Sequence, residues 1–466
     1  MTPALVAVVV FMLLQFGIGI WVSRRIRTED DYLLAGRRLG YPLATFSIFA
    51  TWFGAETVVG AAGLTYADGV SLSSAEPFGY GLCLVLMGIV YAAPLWRRKL
   101  VTLADLFRQR FSVGVERLAA IVLIPTSILW AAAQIRAFGQ VLSAASPMHV
   151  NTSIAIAAAL TMAYTVVGGL MVDAITDLIQ GIILTIGLLV VGIVVFVQVG
   201  GMDGAAAVIA ESGKVQLIGT GGASVLETLE AWAIPVCGSV IATELVARVI
   251  ATRTPTIARR ASIGAGAMYL VVGAIPVFVG LVGASLVSDL AHPEQLLPTV
   301  AQTLLPTVLY AVFAGGLLSA ILSTVDSTLL VASGLLSHNL VVPALPRASE
   351  RVKVLSARAG VVVFGVIAYV LAIHATGVFE LVEQASALGS AGTLVAVTFG
   401  LFTRWGGART AGATIVVGMA AYVGAAAADL AYPFLLSLAA SLATYCIGCL
   451  TEGRIPVAMS AAQSEK

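Results

Sequence analysis

The feature that most constrains this chain is a long succession of apolar runs, each about as long as a bilayer is thick. Thirteen are read from the sequence, at roughly 3–23, 39–67, 76–96, 115–145, 152–168, 171–199, 227–251, 259–288, 306–340, 352–374, 378–403, 408–428 and 430–450. About 20 apolar residues suffice for a helix to cross the hydrocarbon core. The expected fold class is therefore all-α integral membrane, with thirteen transmembrane helices. Of the 466 residues, 59% are apolar and 11% charged, so what remains between the runs is too short for a separate catalytic domain.

The placement of charge tests the count. With the N-terminus outside, the basic residues after odd-numbered spans fall on one side of the membrane. They include Arg24, Arg25, Arg37 and Arg38, then Arg97, Arg98 and Lys99, then Arg248, Arg253 and Arg259, then Arg347, Arg351 and Lys353, and at the end Arg454 and Lys466. Of the 25 Lys and Arg only Lys214, outside, and Arg136, within a span, depart from the pattern. The positive-inside rule then predicts a multi-pass protein of the cell (inner) membrane, N-terminus outside and C-terminus cytoplasmic. The first run is read as a retained helix rather than a cleaved leader, since it is long and has no basic residues before it. Cys446 and Cys449 form a C-x-x-C inside the last span without a second pair, so no metal site is expected there.

Within the ninth span, Ala320, Ser323, Thr324 and Ser327 recur at i, i+3, i+4 and i+7 and share one helical face. Asp326 flanks it. A carboxylate at mid-membrane costs about 3 kcal/mol and is by default a functional candidate. A blander alternative has the hydroxyls bonding back to their own helix and Asp326 lining a small wet crevice. Two spans are interrupted at their middles, the second at Thr51-Trp52-Phe53-Gly54-Ala55-Glu56 and the seventh at Pro235-Val236-Cys237-Gly238-Ser239. Five spans separate them. Matched interruptions mark the binding site of inverted-repeat transporters, where unwound carbonyls and helix ends hold ions and solute. Close helix packing is the other use of such glycines.

With these residues in view, the chain resembles the sodium/solute symporter family. The likeness is carried by Asp31-Tyr32-Leu33-Leu34-Ala35-Gly36-Arg37, by Thr102-Leu103-Ala104-Asp105-Leu106-Phe107, by Gly168-Gly169 through Asp173, Thr176-Asp177 and Gln180, and above all by Ser323-Thr324-Val325-Asp326-Ser327. Within the family it is most similar to the choline-transporter branch, through Ala50-Thr51-Trp52, Pro77-Phe78-Gly79-Tyr80 and Trp130-Ala131-Ala132-Ala133. The resemblance implies a five-plus-five inverted repeat of the LeuT type, with one helix before it and two after. The chain would divide into a first helix and loop (1–38), a first repeat (39–199), an outer loop (200–226), a second repeat (227–404) and two last helices with a cytoplasmic tail (405–466).

The same resemblance implies sodium-coupled uptake of a small organic solute by alternating access, with one sodium ion and possibly a second. The shared sodium site would use the carbonyls of Ala50, Phe53 and Ala320 and the hydroxyls of Ser323 and Thr324. A second sodium, or a proton, would fall on Asp177, Asp326 and Ser327. Trp52, Tyr80 and Trp130 match an aromatic cage that attracts quaternary ammonium. Two departures stand out: Ala242 replaces the Trp of that branch, and Glu56 brings an acid the branch lacks. Glu56, Arg136 and Glu244 are the other charges placed within the membrane. Arg136 could hold a substrate carboxylate and Glu56 an amine, suiting an amino-acid-like or betaine/choline-like solute, or a carboxylate nutrient. Alternatively Glu56 pairs with Arg136, and Glu244 with Arg248 one turn on. No enzyme motif, phosphate-binding loop or nucleic-acid partner is expected. A membrane-embedded sensor acting through a partner is the rival class.

Overall fold

The structure, a computed structural model, describes residues 3–24, 26–144, 148–216, 224–287, 290, 292–345, 347–375 and 377–453. Arg25, residues 217–223 of the outer loop and the tail from Arg454 onward, including Lys466, lie outside the described residues.

The chain begins with α1 (Pro3–Ser23) and the short α2 (Glu29–Leu34). The first interrupted span is α3 (Tyr41–Trp52) followed, after a break, by a wide π-helical turn (Glu56–Gly60) and α4 (Ala61–Asp68). Next come α5 (Phe78–Leu86), continued through a second π turn (Met87–Tyr91) into α6 (Ala92–Arg97), and then the amphipathic α7 (Ala104–Arg110). The long helices α8 (Val113–Ala144), α9 (Val150–Val167) and α10 (Leu170–Gln198) complete this half.

After α11 (Gly201–Ser212), the second interrupted span comprises α12 (Val225–Ala233), a π turn (Ile234–Gly238) and α13 (Thr243–Ile250). It is followed by α14 (Pro255–Val282), α15 (Leu296–Leu304), and α16 (Thr307–Gly334) with its own π turn (Leu335–Val341). The chain then runs through α17 (Glu350–His374), α18 (Val378–Ala387), α19 (Ser390–Phe402), α20 (Ala408–Ala427) and α21 (Pro433–Glu452).

Among the described residues, ten helices are long and apolar enough to cross a membrane, and twelve candidate spans result when each bent pair is counted as one, against the thirteen expected. The bends are 58° at the first break and 40° at the second. One expected span is divided. The eleventh is split where Gly389 takes a left-handed conformation (φ 71°) between α18 and α19. Two loops hold more structure than expected. The outer loop at 200–226 contains α11 and the strand Val215–Gln216, which pairs in parallel with Val70–Ser71. The segment at 289–305 contains α15.

The most enclosed span is that of α16, packed against α1, α8, α10 and α17. α3 packs against both α10 and α16, and α14 closes over α3, α4 and α5. Small residues permit the close crossings: a Cβ on Gly266 would sit 2.8 Å from the Gly81 carbonyl, and one on Gly280 2.7 Å from that of Ala62. One polar seam crosses this interior, where residues from α3, α8, α10, α13 and α16 meet.

Candidate functional site

The first break is a helix whose ends are satisfied by side chains of its neighbours. α3 ends at Trp52, and Phe53 leaves helical geometry with φ −88° and ψ 62°. The last carbonyls of a helix have no partner within it. Here the Thr51 carbonyl accepts from Thr324 Oγ1 at 3.2 Å and the Trp52 carbonyl from the Tyr269 hydroxyl at 3.2 Å. Across the gap, the Ala55 N–H donates to Gln134 Oε1 at 3.1 Å, and Gln134 Nε2 donates to Glu56 Oε2 at 2.6 Å. Gly54 is required because a Cβ there would lie 2.6 Å from that carboxylate oxygen.

The second break, between Gly238 and Thr243, presses against α18. A Cβ on Gly238 would sit 2.4 Å from the Ser386 carbonyl. The hydroxyl of Ser386 meets those of Tyr80 (3.1 Å) and Ser239 (3.3 Å).

The hydroxyl-lined face of α16 points at the first break. Ala50, Phe53, Ala320, Ser323 and Thr324 are all buried. Besides the Thr51 carbonyl, Thr324 Oγ1 contacts the Ala320 carbonyl at 3.4 Å, while the Ser323 hydroxyl donates to Asp177 Oδ1. These are hard oxygen donors without nitrogen or sulfur, a chemistry that suits an alkali cation.

The residues expected to form a second ion site are arranged differently. Asp177 accepts from Ser47 at 2.6 Å and from Ser323, whereas Ser327 contacts Asp173 at 3.0 Å. Between the two aspartates lies the guanidinium of Arg248, 2.6 Å from Asp173 and 3.4 Å from Asp177, with Ser327 and Ser47 as further acceptors. Asp326 turns toward Thr165 on α9, about 100° around the helix from Ser327, and no hydrogen bond joins it to Asp177 or Ser327 among the described residues. So Asp177, Asp326 and Ser327 do not converge on one cation.

Arg248 also corrects the charge reading. It stands 0% exposed inside the molecule rather than at a membrane face. Its side chain does not pair with that of Glu244, and only the Glu244 carbonyl, at 3.3 Å, accepts from it. The Glu244 carboxylate accepts instead from Ser127 on α8 and from Thr243.

Of the expected substrate residues, the three aromatics gather. Trp52 and Trp130 meet edge to face with centroids 5.2 Å apart and Tyr80 lies 6.5 Å from Trp130, while Glu56 follows Trp52 across the break and is tied through Gln134 to α8, four residues beyond Trp130. Glu244 lines a small cavity with Trp130, Ser239, Ala242 and Ser386. Its volume is about 20 Å³, room for a water and not for an organic solute. Arg136 does not join them. It donates to the Ala372 carbonyl at 2.9 Å, because two residues separate it from Gln134 and turn it about 200° around α8. Glu56 therefore pairs with Gln134, not Arg136.

Four participants were not anticipated in their roles: Arg248, Gln134, Tyr269 and Glu76. Glu76 accepts from Thr57 at 2.9 Å, and Thr57 shares its hydroxyl with Tyr269. The i, i+4 spacing of Asp173 and Asp177 on one buried face was a signal for a cationic partner. Nothing in the sequence marks Gln134 or Glu76.

Comparison with known proteins decides the family. The family model for the sodium:solute symporter family matches residues 32–420, most of the chain. The chain belongs to the sodium:solute symporter family. Among its relatives, the human high affinity choline transporter 1 is 28% identical over 401 residues, covering 81% of this chain and 69% of that one. The high-affinity proline transporter PutP of Bacillus subtilis is 28% identical, covering 93% and 95%. Among solved structures, a sodium-coupled sialic acid symporter in a substrate-bound outward-open state superposes with a TM-score of 0.85 at 19% identity, over 97% of both chains. The hydantoin-bound nucleobase-cation symporter Mhp1 follows at 0.65 and 15%, over 92% and 95%. This symporter-family chain therefore shares the LeuT-type fold. It is a transmembrane transporter and not an enzyme.

Proposed function

We propose that the protein takes up a small organic solute by sodium symport through alternating access, in a multi-pass arrangement of thirteen spans with α1 as the first. The supporting observation is that Ser323 and Thr324 face the interrupted turn of α3, with the Thr324 hydroxyl 3.2 Å from the Thr51 carbonyl. On this reading Ala50, Phe53 and Ala320 supply carbonyls and Ser323 and Thr324 supply hydroxyls to one sodium ion. The ion ties α16 to the first broken helix, and its release toward the cytoplasm loosens that tie and lets the solute leave. Asp177, one hydrogen bond behind Ser323, adds negative charge without direct ligation. Because Arg248 already supplies the cation beside Asp177, the reading takes one sodium per cycle.

One charge moving through 100 mV supplies about 2.3 kcal/mol, enough for roughly 50-fold accumulation of a neutral solute. The solute is amino-acid-like, betaine/choline-like or a carboxylate nutrient, held near Trp52, Glu56, Tyr80 and Trp130. The N-terminus is outside and the C-terminus cytoplasmic.

Proteoliposomes with inward and outward sodium gradients test this reading. Uptake should follow the inward gradient with a Hill coefficient near one. Thr324→Ala and Ser323→Ala should each raise the sodium concentration for half-maximal uptake about 10-fold or more. Solute binding without any gradient-driven uptake would refute it.

A further inference from the structure

Two acids near the first break have no cation. Glu56 is 2% exposed; one of its oxygens is held by Gln134, and the other, Oε1, has no hydrogen-bond partner. Glu76, in the loop leading into α5, is held by Thr57, the residue after Glu56. Among the described residues no Lys, Arg or His forms an ion pair with either carboxylate. A buried carboxylate without a cation takes up a proton or a cationic donor, and the orphaned Oε1 of Glu56 is open to the second.

The indole nitrogens of Trp52 and Trp130, four residues before Glu56 and before its partner Gln134 respectively, are buried and also lack partners. Buried indole N–H groups ordinarily find an acceptor, and three orphaned polar atoms at one aromatic corner are many for a native interior. All three are met by a single kind of molecule: one with a cationic N–H to donate, a lone-pair oxygen to accept, and alkyl groups to lie against rings.

We propose that this corner selects a protonated amine, a solute whose cationic nitrogen carries at least one N–H that donates to Glu56 Oε1. An oxygen of the same solute accepts from the indole N–H groups. The proposal rests on the carrier reading above and names its substrate class. A quaternary ammonium would still be attracted by the ring faces, but it has no donor and would leave Glu56 Oε1 unbonded. Sites built to hydrogen-bond a group discriminate strongly against the analogue that lacks it. Glu76 fixes the Thr57 hydroxyl, without touching the solute.

The test uses the full-length protein and two matched pairs, each exchanging N–H for N–CH3: N,N-dimethylethanolamine against choline, and proline against N,N-dimethylproline. Thermal stabilisation in sodium, titrated with each compound, is expected to show about a 10-fold or greater preference for the N–H member of at least one pair. Glu56→Gln should bring that ratio close to one while keeping the stabilisation by sodium alone. Equal or tighter binding of the quaternary members, no binding of either pair, or a ratio unmoved in Glu56→Gln would overturn the proposal. The wild-type ratio carries the test should the variant fail to fold. Gradient-driven uptake without an N–H preference would sink this inference alone, and absence of any sodium effect would sink the carrier reading itself.

Discussion

Replacing Arg248 by Met should be among the most damaging single changes this protein can receive. The guanidinium is fully enclosed and makes contacts of 2.6 Å to Asp173, 3.0 Å to the Ser47 hydroxyl and 3.4 Å to Asp177, besides the one to Ser327. Methionine fills much of the volume but leaves two buried carboxylates with hydroxyls alone for company. Breaking a buried pair by removing one partner costs about 3–5 kcal/mol, because the other charge stays behind uncompensated. Removing the closest carboxylate too, in Arg248→Met with Asp173→Asn, should recover a substantial part of that loss. A double-mutant cycle should then give a coupling of about 2 kcal/mol or more, near the upper end for neighbours in one network. Thermal unfolding in detergent at one pH and salt concentration gives the ranking, with Arg248→Met lowest and the double variant above it. Unfolding of Arg248→Met within a degree of wild type would refute the reasoning, as would a double variant no better than the single.

Other substitutions probe the breaks and the loops. Gly54→Ala would set a Cβ 2.6 Å from the Glu56 carboxylate, and Gly238→Ala one 2.4 Å from the Ser386 carbonyl. Both should lower uptake at least 10-fold at equal expression, whereas Gly424→Ala, with nothing near its Cβ, should leave it unchanged. Asn339 joins the π turn after α16 to Glu116 at 2.9 Å and Asp105 at 3.0 Å while accepting from Thr102. Asn339→Ala should cost about 1–3 kcal/mol through the polar groups it orphans, read as a lower unfolding midpoint.

Much of this architecture was visible in the residues because membrane helices are specified by composition over long windows. The interruptions at Phe53-Gly54 and Pro235–Gly238 showed themselves as Gly, Pro and Glu where apolar residues should continue. The hydroxyl face of α16 was equally plain from its spacing. Arg248 was misplaced for a physical reason: a flanking arginine and a buried one look alike in a charge count, and only the tertiary approach of α10 to α13 tells them apart. Pairing of Arg136 with Glu56 was the alternative to separate substrate roles, and Gln134, on another face of α8, takes Glu56 instead. Glu76 stands at the first position of the third apolar run, and only its bond from Thr57, whose hydroxyl is shared with Tyr269, makes it consequential. The helices α11 and α15 were hidden because short amphipathic segments lack the length that identified the spans.

The four π turns, at Glu56–Gly60, Met87–Tyr91, Ile234–Gly238 and Leu335–Val341, have a mechanical consequence. Each carries a surplus residue within its widened loop. Sliding that surplus one position along the rod re-aims only the residue it passes, by about 100° and about 1.5 Å, exchanging hydrogen bonds singly instead of melting a turn. Two of these turns adjoin the interruptions, so side chains beside the breaks can be re-aimed while both arms of each rod keep their places.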